Sequence, residues 1–448
     1  MPAFPFFRAL GALCLSAPFA ASAADFVVDK TSDSFDPGCT TACSLRETLY
    51  RANAMPGSHR VILREATYSL TLPDPVWNPD EDPDPDEDDG VRGDLDIRGD
   101  ITLVGASQDG SVIQGSTERL IEVLPGARLQ LRRLTLRDGL ADTYGGAVRN
   151  DGETVVHRVS FLSNRADAGI QGQGGAVANF ASLSVSHALF EGNNSNGDEG
   201  FFGRGGAIFN RGDLLLRDST LRRNSVTDSD GDYGQGGALY NEGVADVART
   251  TFVDNTAGVP LFGGGGSAIA NRAGGRLLLT NSTLSGNQGI ETNGVLTNGF
   301  ARFAEDANVQ ARLVNVTIAG NDGLGVSNSG NLLIRNSLIA GNRLDGSPAN
   351  CATLGTYRAI GLLLGGDTGN CTADVLVDDA LTFRKVLHVL SNNKGTTQTH
   401  ALRKGSPALD IGIGSCTRHD QRGVPRPQDG DGDGVALCDL GAYERIRP

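Results

Sequence analysis

Short apolar strands alternate along the chain with glycine-rich turns, and the whole pattern recurs with a period of roughly 30 residues. One column of the repeat reads Gly-Gly-Ala-apolar-x-Asn, with Gly-Ser-Ala in its last copy. The asparagines of this column are Asn150, Asn179, Asn210, Asn241 and Asn271. Each repeat holds three short strands and no apolar run of helical length. This period predicts an all-β solenoid, a right-handed parallel β-helix.

A second column of asparagines ends segments of the type Phe-x-x-Asn. Its members are Asn164, Asn193, Asn224, Asn255, Asn287, Asn321 and Asn342. Coils of a solenoid stack about 4.8 Å apart, so equivalent asparagines can hydrogen-bond from one coil to the next. We therefore expect Asn150 and its equivalents to form an internal ladder and to take no part in catalysis.

Alternation within a strand predicts which side chains face the solvent. If Val148 and its equivalents point inward with the asparagines, the preceding alanines and the residues between valine and asparagine point outward. The outward alanines are Ala147, Ala176, Ala207, Ala238 and Ala268, and the other outward residues are Arg149, Ala178, Phe209, Tyr240 and Ala270. The pattern predicts a smooth face with an exposed aromatic pair, Phe209 and Tyr240.

The loops that lead into each Gly-Gly pair carry acidic and aromatic residues. Those before the fourth Gly-Gly pair are Asp228, Asp230, Asp232 and Tyr233. Aromatic rings beside carboxylates can stack on sugar rings and hold their hydroxyl groups. Together with Phe209 and Tyr240, they form the predicted site for an extracellular polysaccharide or another cell-surface component. The alternative is that these loops are solvated and their aromatics cover coil edges.

The formal net charge is −14. Nucleic acids and anionic lipids attract basic surfaces, so this charge argues against both as partners. A neutral sugar or a ligand bound with a cation fits better.

The N-terminal segment 1–23 has the features of a signal peptide. Arg8 precedes an apolar run, and the small residues Ala21 and Ala23 flank Ser22 at a plausible cleavage site. No later segment reaches the roughly 20 apolar residues needed to span a bilayer. We expect a secreted or cell-surface protein without a membrane span, beginning at Ala24.

Six cysteines remain once the signal peptide is removed, an even number that suits an oxidising compartment. Pairing sequence neighbours gives Cys39 with Cys43, Cys351 with Cys371, and Cys416 with Cys438. A thiol metal site is the alternative, but it would need CxxC spacing with histidines nearby.

Both ends of the solenoid differ from the repeats and are predicted to cap it. Ser44 stands three residues before Glu47, which is the spacing of a capping box at the start of a short helix. At the other end, the Asp429-Gly-Asp431-Gly-Asp433-Gly434 run spaces three carboxylates as calcium loops do, although Leu440 stands where a bidentate acid is usual. We expect calcium there to have a structural role.

Three parts of the sequence resemble known families. The Gly-Gly-Ala and Phe-x-x-Asn repeats over residues 130–345 resemble polymorphic outer membrane proteins, a β-helical group of surface proteins. The Cys-Ser-Leu-Arg-Glu motif at 43–47 resembles the CSLREA domain of exported β-helical bacterial proteins, with Thr48 replacing the usual alanine. Residues 405–412 and 438–444 resemble the choice-of-anchor Q ending of such proteins. These resemblances imply export and a β-helix.

The predicted organisation has five parts. A signal peptide (1–23) precedes an N-terminal cap with the first strands (24–72), an acidic loop rich in proline and aspartate (73–94), the β-helix (95–345), and C-terminal coils with a cap (346–448). The acidic loop is expected to be solvated, with calcium binding as the alternative. Because both ends are capped, we expect a monomer.

A polysaccharide lyase or glycoside hydrolase is the alternative to a binding protein, by analogy with other β-helices. A lyase needs a base beside a cation, and a glycosidase needs two placed carboxylates. No signature of polygalacturonases or pectate lyases occurs, so the sequence leaves the question of catalysis open and identifies no catalytic residue.

Overall fold

The computed structural model describes residues 23–73, 90–115, 117–167, 171–197, 203–228, 234–258, 265–289, 294–300, 306, 308–366 and 369–447. The predicted parallel β-helix is confirmed, because strands of successive coils pair in parallel and in register. The predicted signal peptide and most of the acidic loop lie outside the described residues.

The coils contribute strands to three parallel sheets, here named A, B and C, of which sheet C is formed by five successive coils only. Sheet A contains Ala24–Val27, Ser58–Ile62, Ala66–Ser69, Asp100–Val104, Ser111–Gln114, Arg128–Arg137, Glu153–Leu162, Ser182–Ser186, Leu189–Glu191, Asp213–Arg217, Thr220–Arg222, Val244–Ala248, Thr251–Val253, Arg276–Thr280, Thr283–Ser285, Gln310–Val314, Thr317–Ala319, Asn331–Ala340, Thr356–Gly365 and Val375–Val377.

The strands of sheet B lie next to those of sheet A along the chain. They are Leu95–Ile97, Ile121–Val123, Val148–Asn150, Val177–Asn179, Ile208–Asn210, Leu239–Asn241, Ile269–Asn271, Gly294–Asn298, Leu324–Asn328 and Cys351–Thr353.

Sheet C is shorter and is followed by small two-stranded pairs. Sheet C contains Leu140–Ala141, Arg165–Ala166, Asn194–Gly197, Ser225–Asp228 and Thr256–Ala257. Gly203–Arg204 pairs with Gly234–Gln235, and Arg343–Leu344 pairs with Ser347–Pro348 in antiparallel fashion.

Sheet A bends at a residue with positive φ, which divides it into two arms. Arg133, Arg158 and His187 stand at this bend in three successive coils, with φ of 54°, 56° and 54°. Arm A1 is the part before the bend (residues 128–132 and 153–157 in two adjacent coils), and arm A2 is the part after it (134–137 and 159–162). The outer surfaces of the two arms therefore face different directions.

Both asparagine columns form continuous ladders inside the solenoid. The amide nitrogen of Asn179 donates to Oδ1 of Asn210 at 2.7 Å, and Asn210 donates in the same way to Asn241 at 2.7 Å. In the second column, Nδ2 of Asn193 donates to Oδ1 of Asn224 and to the carbonyl of Phe161, both at 2.9 Å. The expected ladder is confirmed, and it satisfies the polar groups of turns that lie in the core.

The N-terminal cap is a helix, Leu45–Asn53, with the predicted capping box. Ser44 Oγ accepts from the backbone of Glu47, whose carboxylate accepts from the backbone of Ser44 at 2.8 Å. Arg46 is 1% exposed; it donates to the Asp33 carboxylate and to the carbonyls of residues 90 and 92–94. These hydrogen bonds fix the helix against residues 90–94, which lead into the first strand of sheet B, Leu95–Ile97.

The C-terminal segment folds back along the outside of arm A2. It comprises residues 378–447, named here the C-terminal cover, with a 3-10 helix Asp379–Leu381 and a π-helix Thr382–Val386. Thr283 Oγ1 donates to Oε1 of Gln421 at 2.7 Å, and the backbone of Ala442 donates to Oγ1 of Thr317 at 2.9 Å. The cover therefore removes arm A2 of these coils from solvent.

All three predicted disulfides are present. Cys39–Cys43 lies beside the N-terminal helix, Cys351–Cys371 closes the last coil, and Cys416–Cys438 lies within the C-terminal cover. Within the described residues, no helix is long and apolar enough to cross a membrane.

Candidate functional site

Phe209 and Tyr240 lie on the outer side of sheet B, but the prediction that they are exposed is wrong. Their rings stack at a centroid distance of 5.7 Å and are 0% and 2% exposed. The Arg211 guanidinium lies 5.7 Å from the Phe209 ring, and that of Arg204 lies 5.2 Å from the Tyr240 ring. The Tyr240 hydroxyl donates to Glu242 at 3.1 Å. These polar side chains cover the pair, so it belongs to a small buried cluster separate from the main core.

The alanines predicted to line the outer face are in fact part of the main core. Ala147, Ala176, Ala207, Ala238 and Ala268 are 0% exposed. In each coil the strand of sheet B starts one residue after the alanine, at Val148 in the first case. The alternation of the strand therefore does not extend to the alanine, which lies in the turn after the Gly-Gly pair.

The loop residues of the predicted site cannot be placed. Asp230, Asp232 and Tyr233 lie outside the described residues, and Asp228 is described only as the backbone end of the strand Ser225–Asp228.

The predicted calcium residues are partly brought together. Asp429 and Asp431 form a group with Asp410, whose carboxylate oxygens lie within 4.8 Å of one another. Asp433 is outside this group, and its carboxylate accepts from the backbone of Val435 at 2.8 Å. Burial raises the pKa of Asp410. An acidic cluster is thus present in the C-terminal cover, with a different third member from the one predicted.

A positively charged surface lies on the outer side of arm A1 near the N-terminal end. Here a groove of about 420 Å³ is lined by Arg60, Thr102, Val104, Gln130, Arg132, Arg133, His157 and Arg158. Parallel pairing sets Arg132 beside His157 in adjacent coils. Arg133 and Arg158 follow them at the bend and line the same groove. We name this surface the basic groove.

Most of the arginines in the basic groove lack an acidic partner. Among the salt bridges of the described residues, none involves Arg132, Arg133 or Arg158, whereas Arg60 is paired with Asp25 at 3.1 Å. No described residue that lines the groove is acidic. The pKa of His157 is lowered by burial and by the nearby charges of His187, Arg158 and Arg132. The positive charge near neutral pH is therefore carried by arginines.

A second groove lies on the same arm, toward the C-terminal end. It has a volume of about 570 Å³, and its lining includes Leu278, Leu333, Arg276, Arg312 and Arg358. Register places Leu278, Arg312, Leu333 and Arg358 in one column of four successive coils. In the described part of the chain, none of these three arginines forms a salt bridge. We name this surface the distal groove.

Two arginines between the groups of unpaired arginines are themselves paired with aspartates. Arg217 contacts Asp246, which lines the near end of the distal groove, at 2.9 Å, and Arg249 contacts Asp218 at 2.6 Å. Four coil steps separate the coil of Arg158 from that of Arg276, which is about 19 Å at the spacing of parallel strands. Unpaired positive charge is thus concentrated in two places along one face.

Sequence reasoning missed the basic groove, although a signal for it exists. The pairs Arg132-Arg133 and His157-Arg158 occupy equivalent positions of adjacent coils, one repeat apart in the sequence. The net charge of −14 concealed this local excess of positive charge.

No family model matches the chain, and no curated protein matches it. Solved structures with some similarity include the pectate lyase Pel9A, with a TM-score of 0.47 and 14% identity over 95% of this chain and 97% of that one. A PL6 alginate lyase in complex with a trisaccharide gives 0.32 and 12% over 78% and 80%. A variant of the PL6-family alginate lyase AlyGC gives 0.35 and 11% over 91% and 59%. At these TM-scores the similarities assign neither a family nor an activity to the chain.

Proposed function

We propose that the protein is an extracellular binding protein for acidic polysaccharides and that it binds them along the outer side of arm A1. The observation that carries the proposal is the cluster of Arg132, Arg133 and Arg158, which are exposed and have no salt bridge within the described residues. A guanidinium group offers a planar set of donors that matches a carboxylate or a sulfate. Uronate or sulfated sugars carry such groups at regular intervals.

The shape of arm A1 suits a linear chain. The grooves are open, and the coils present equivalent positions about every 4.8 Å along the solenoid axis. In the distal groove, Leu278 and Leu333 give an apolar surface on which the faces of sugar rings can pack, while Arg276, Arg312 and Arg358 supply charge. A polysaccharide lying parallel to the axis would meet both kinds of contact.

Binding is favoured over glycoside hydrolysis by the residues in the basic groove. A glycosidase of the usual type needs two carboxyl groups beside the scissile bond. The described lining of the basic groove contains none. Secretion is part of the proposal and is supported by the signal-like segment at 1–23 and by the three disulfides.

The test is retention of the mature chain, residues 24–448, on immobilised polygalacturonate, alginate and dextran sulfate, with unmodified dextran as the neutral comparison. A triple variant, Arg132→Ala, Arg133→Ala and Arg158→Ala, should lose at least tenfold in affinity for the acidic columns. The matched control is Arg211→Ala, Arg222→Ala and Arg223→Ala, which removes the same charge from arginines paired with Glu242 or Glu191. The control should retain wild-type affinity within about twofold, in keeping with the small effect of exposed ion pairs.

Equal loss in both triple variants would show that only net charge matters and would reject the basic groove as the site. Formation of unsaturated uronates or new reducing ends by the wild-type chain would replace the binding proposal with an enzymatic one.

A further inference from the structure

A cluster of carboxylates in the C-terminal cover joins two segments that are distant in sequence. Asp410 lies at the end of the segment 405–410. Asp429 and Asp431 belong to the Asp-Gly-Asp-Gly-Asp-Gly run at residues 429–434, named here the glycine-rich loop. Oxygens of all three carboxylates lie within 4.8 Å of one another. The backbone of Asp431 donates to Oδ2 of Asp410 at 2.8 Å, so the glycine-rich loop closes directly over Asp410.

Asp410 gives an independent indication that this cluster binds a ligand. The residue is 8% exposed, and its Oδ1 has no hydrogen-bond partner. A buried carboxylate oxygen without a donor is costly, and native proteins usually satisfy such atoms. The Arg447 guanidinium lies beside Gly432, but no salt bridge in the described part of the chain joins it to Asp410, Asp429 or Asp431.

We propose that Asp410, Asp429 and Asp431 bind one calcium ion that fastens the glycine-rich loop to the body of the C-terminal cover. Carboxylate oxygens are the ligands that Ca²⁺ prefers, and water would complete its six to eight ligands. Asp433 is left out of the proposed site because it is not among the carboxylates whose oxygens converge.

The site has a structural consequence for the solenoid. The backbone of Asp410 donates to Oδ1 of Asp439 at 2.9 Å. The carbonyl of Asp439 accepts from Nδ2 of Asn315 at 3.4 Å, and Gly441 donates its backbone N–H to the carbonyl of Asn336 at 2.9 Å. A cation that holds Asp410 and the loop together would therefore strengthen the attachment of the cover to sheet A.

The test uses the mature chain, residues 24–448, stripped with EDTA and titrated with CaCl₂ alone in a calorimeter. Thermal unfolding and limited proteolysis of residues 378–447 are followed in parallel. Wild-type protein should bind one Ca²⁺ per chain, gain several degrees in Tm, and become resistant to cleavage in the cover. Asp431→Asn, at an exposed position that does not threaten folding, should weaken Ca²⁺ binding at least tenfold.

The matched control is Asp433→Asn, which removes the same charge from the same loop and should keep the wild-type affinity within twofold. Asp410→Asn tests the buried ligand and should abolish binding while its Tm in EDTA stays measurable. The proposal is overturned if wild-type protein shows no heat of binding and no change in Tm, or if Asp433→Asn loses as much affinity as Asp431→Asn. Neither outcome depends on whether arm A1 binds a polysaccharide.

Discussion

Asn350 donates its side-chain amide to the carboxylate of Asp379 at 2.9 Å, and this bond ends the second asparagine ladder where the chain leaves the solenoid. Asn342 donates to Oδ1 of Asn350 at 2.9 Å, so the ladder reaches Asp379 without a break. The same carboxylate oxygen accepts from the backbone of Gly341 at 2.6 Å. Asp379 is thus the acceptor that completes the last turn and connects the ladder to the C-terminal cover.

Replacing Asp379 with Ala should lower the free energy of unfolding by about 3 kcal/mol, because two buried donors would lose their charged acceptor. The measurement is urea unfolding of the mature chain followed by circular dichroism. The neighbouring exposed Asp378 caps the 3-10 helix through the backbone of Ala380 at 3.0 Å, and Asp378→Ala should cost only about 1 kcal/mol. Similar losses in the two variants would contradict a special role for the end of the ladder.

Replacing Phe209 with Ala should destabilise the protein without weakening the binding of acidic polysaccharide. The ring is fully buried on the outer side of sheet B, so its loss leaves a cavity that costs about 3 to 4 kcal/mol. Leu354→Ala is the matched control, since Leu354 is 82% exposed and its truncation should change stability by less than about 0.5 kcal/mol. Folded Phe209→Ala protein that fails to bind the acidic columns would show that sheet B contributes to the site after all.

The stability of the C-terminal cover should depend on pH through His400. This side chain is 3% exposed; it contacts the carbonyl of His388 at 2.8 Å and the hydroxyl of Ser285 at 2.9 Å. Burial lowers the pKa of His400 to about 4. The unfolded chain takes up this proton near pH 6.5 and the folded chain only near pH 4, so the contribution of His400 to stability is lost as the pH falls between these values, by on the order of 3 kcal/mol in total.

The measurement is the free energy of unfolding from pH 7 to pH 4 in wild-type protein and in His400→Gln. Burial raises the pKa of Asp439 in the same cover to about 7, which favours the folded state as the pH falls, so the effect of His400 is read from the difference between the two proteins. Wild-type protein should lose more free energy of unfolding, or gain less, than His400→Gln as the pH falls from 7 to 4. His419→Gln, which changes an exposed histidine, should follow the wild-type slope. Parallel slopes in wild-type protein and His400→Gln would rule out this histidine as the source.

Affinity for acidic oligosaccharides should rise steeply with chain length if arm A1 binds as proposed. Short uronate oligosaccharides can occupy only one groove, whereas chains that extend beyond the intervening distance of about 19 Å can contact both, and the second contact is then intramolecular. Calorimetric titration with a ladder of oligogalacturonates measures this. Arg276→Ala combined with Arg312→Ala should remove the gain for long chains and leave short ones unaffected. A smooth rise with length that survives this double variant would place the second contact elsewhere.

Features that depend on local spacing could be predicted from the amino-acid sequence. The repeat of asparagines and apolar strands predicts the β-helix and the ladders, because each coil buries its apolar side by stacking equivalent positions on its neighbours. The capping box of Ser44 and Glu47 is also local, since its donors and acceptors lie within one helical turn. Pairing sequence neighbours was enough to predict the disulfides.

What covers each face of the solenoid depends on its tertiary contacts. Phe209 and Tyr240 follow the predicted alternation and lie on the outer side of sheet B. Arg204 and Arg211 nevertheless exclude solvent from the two rings. The period of a strand does not reveal where such long side chains will lie. Asp410 joins the carboxylates of the glycine-rich loop only because the cover folds back on itself. The basic groove arises because adjacent coils bring their bends to one surface. Burial and charge at these places depend on contacts between segments far apart in the chain, whereas periodicity reports only which positions are equivalent.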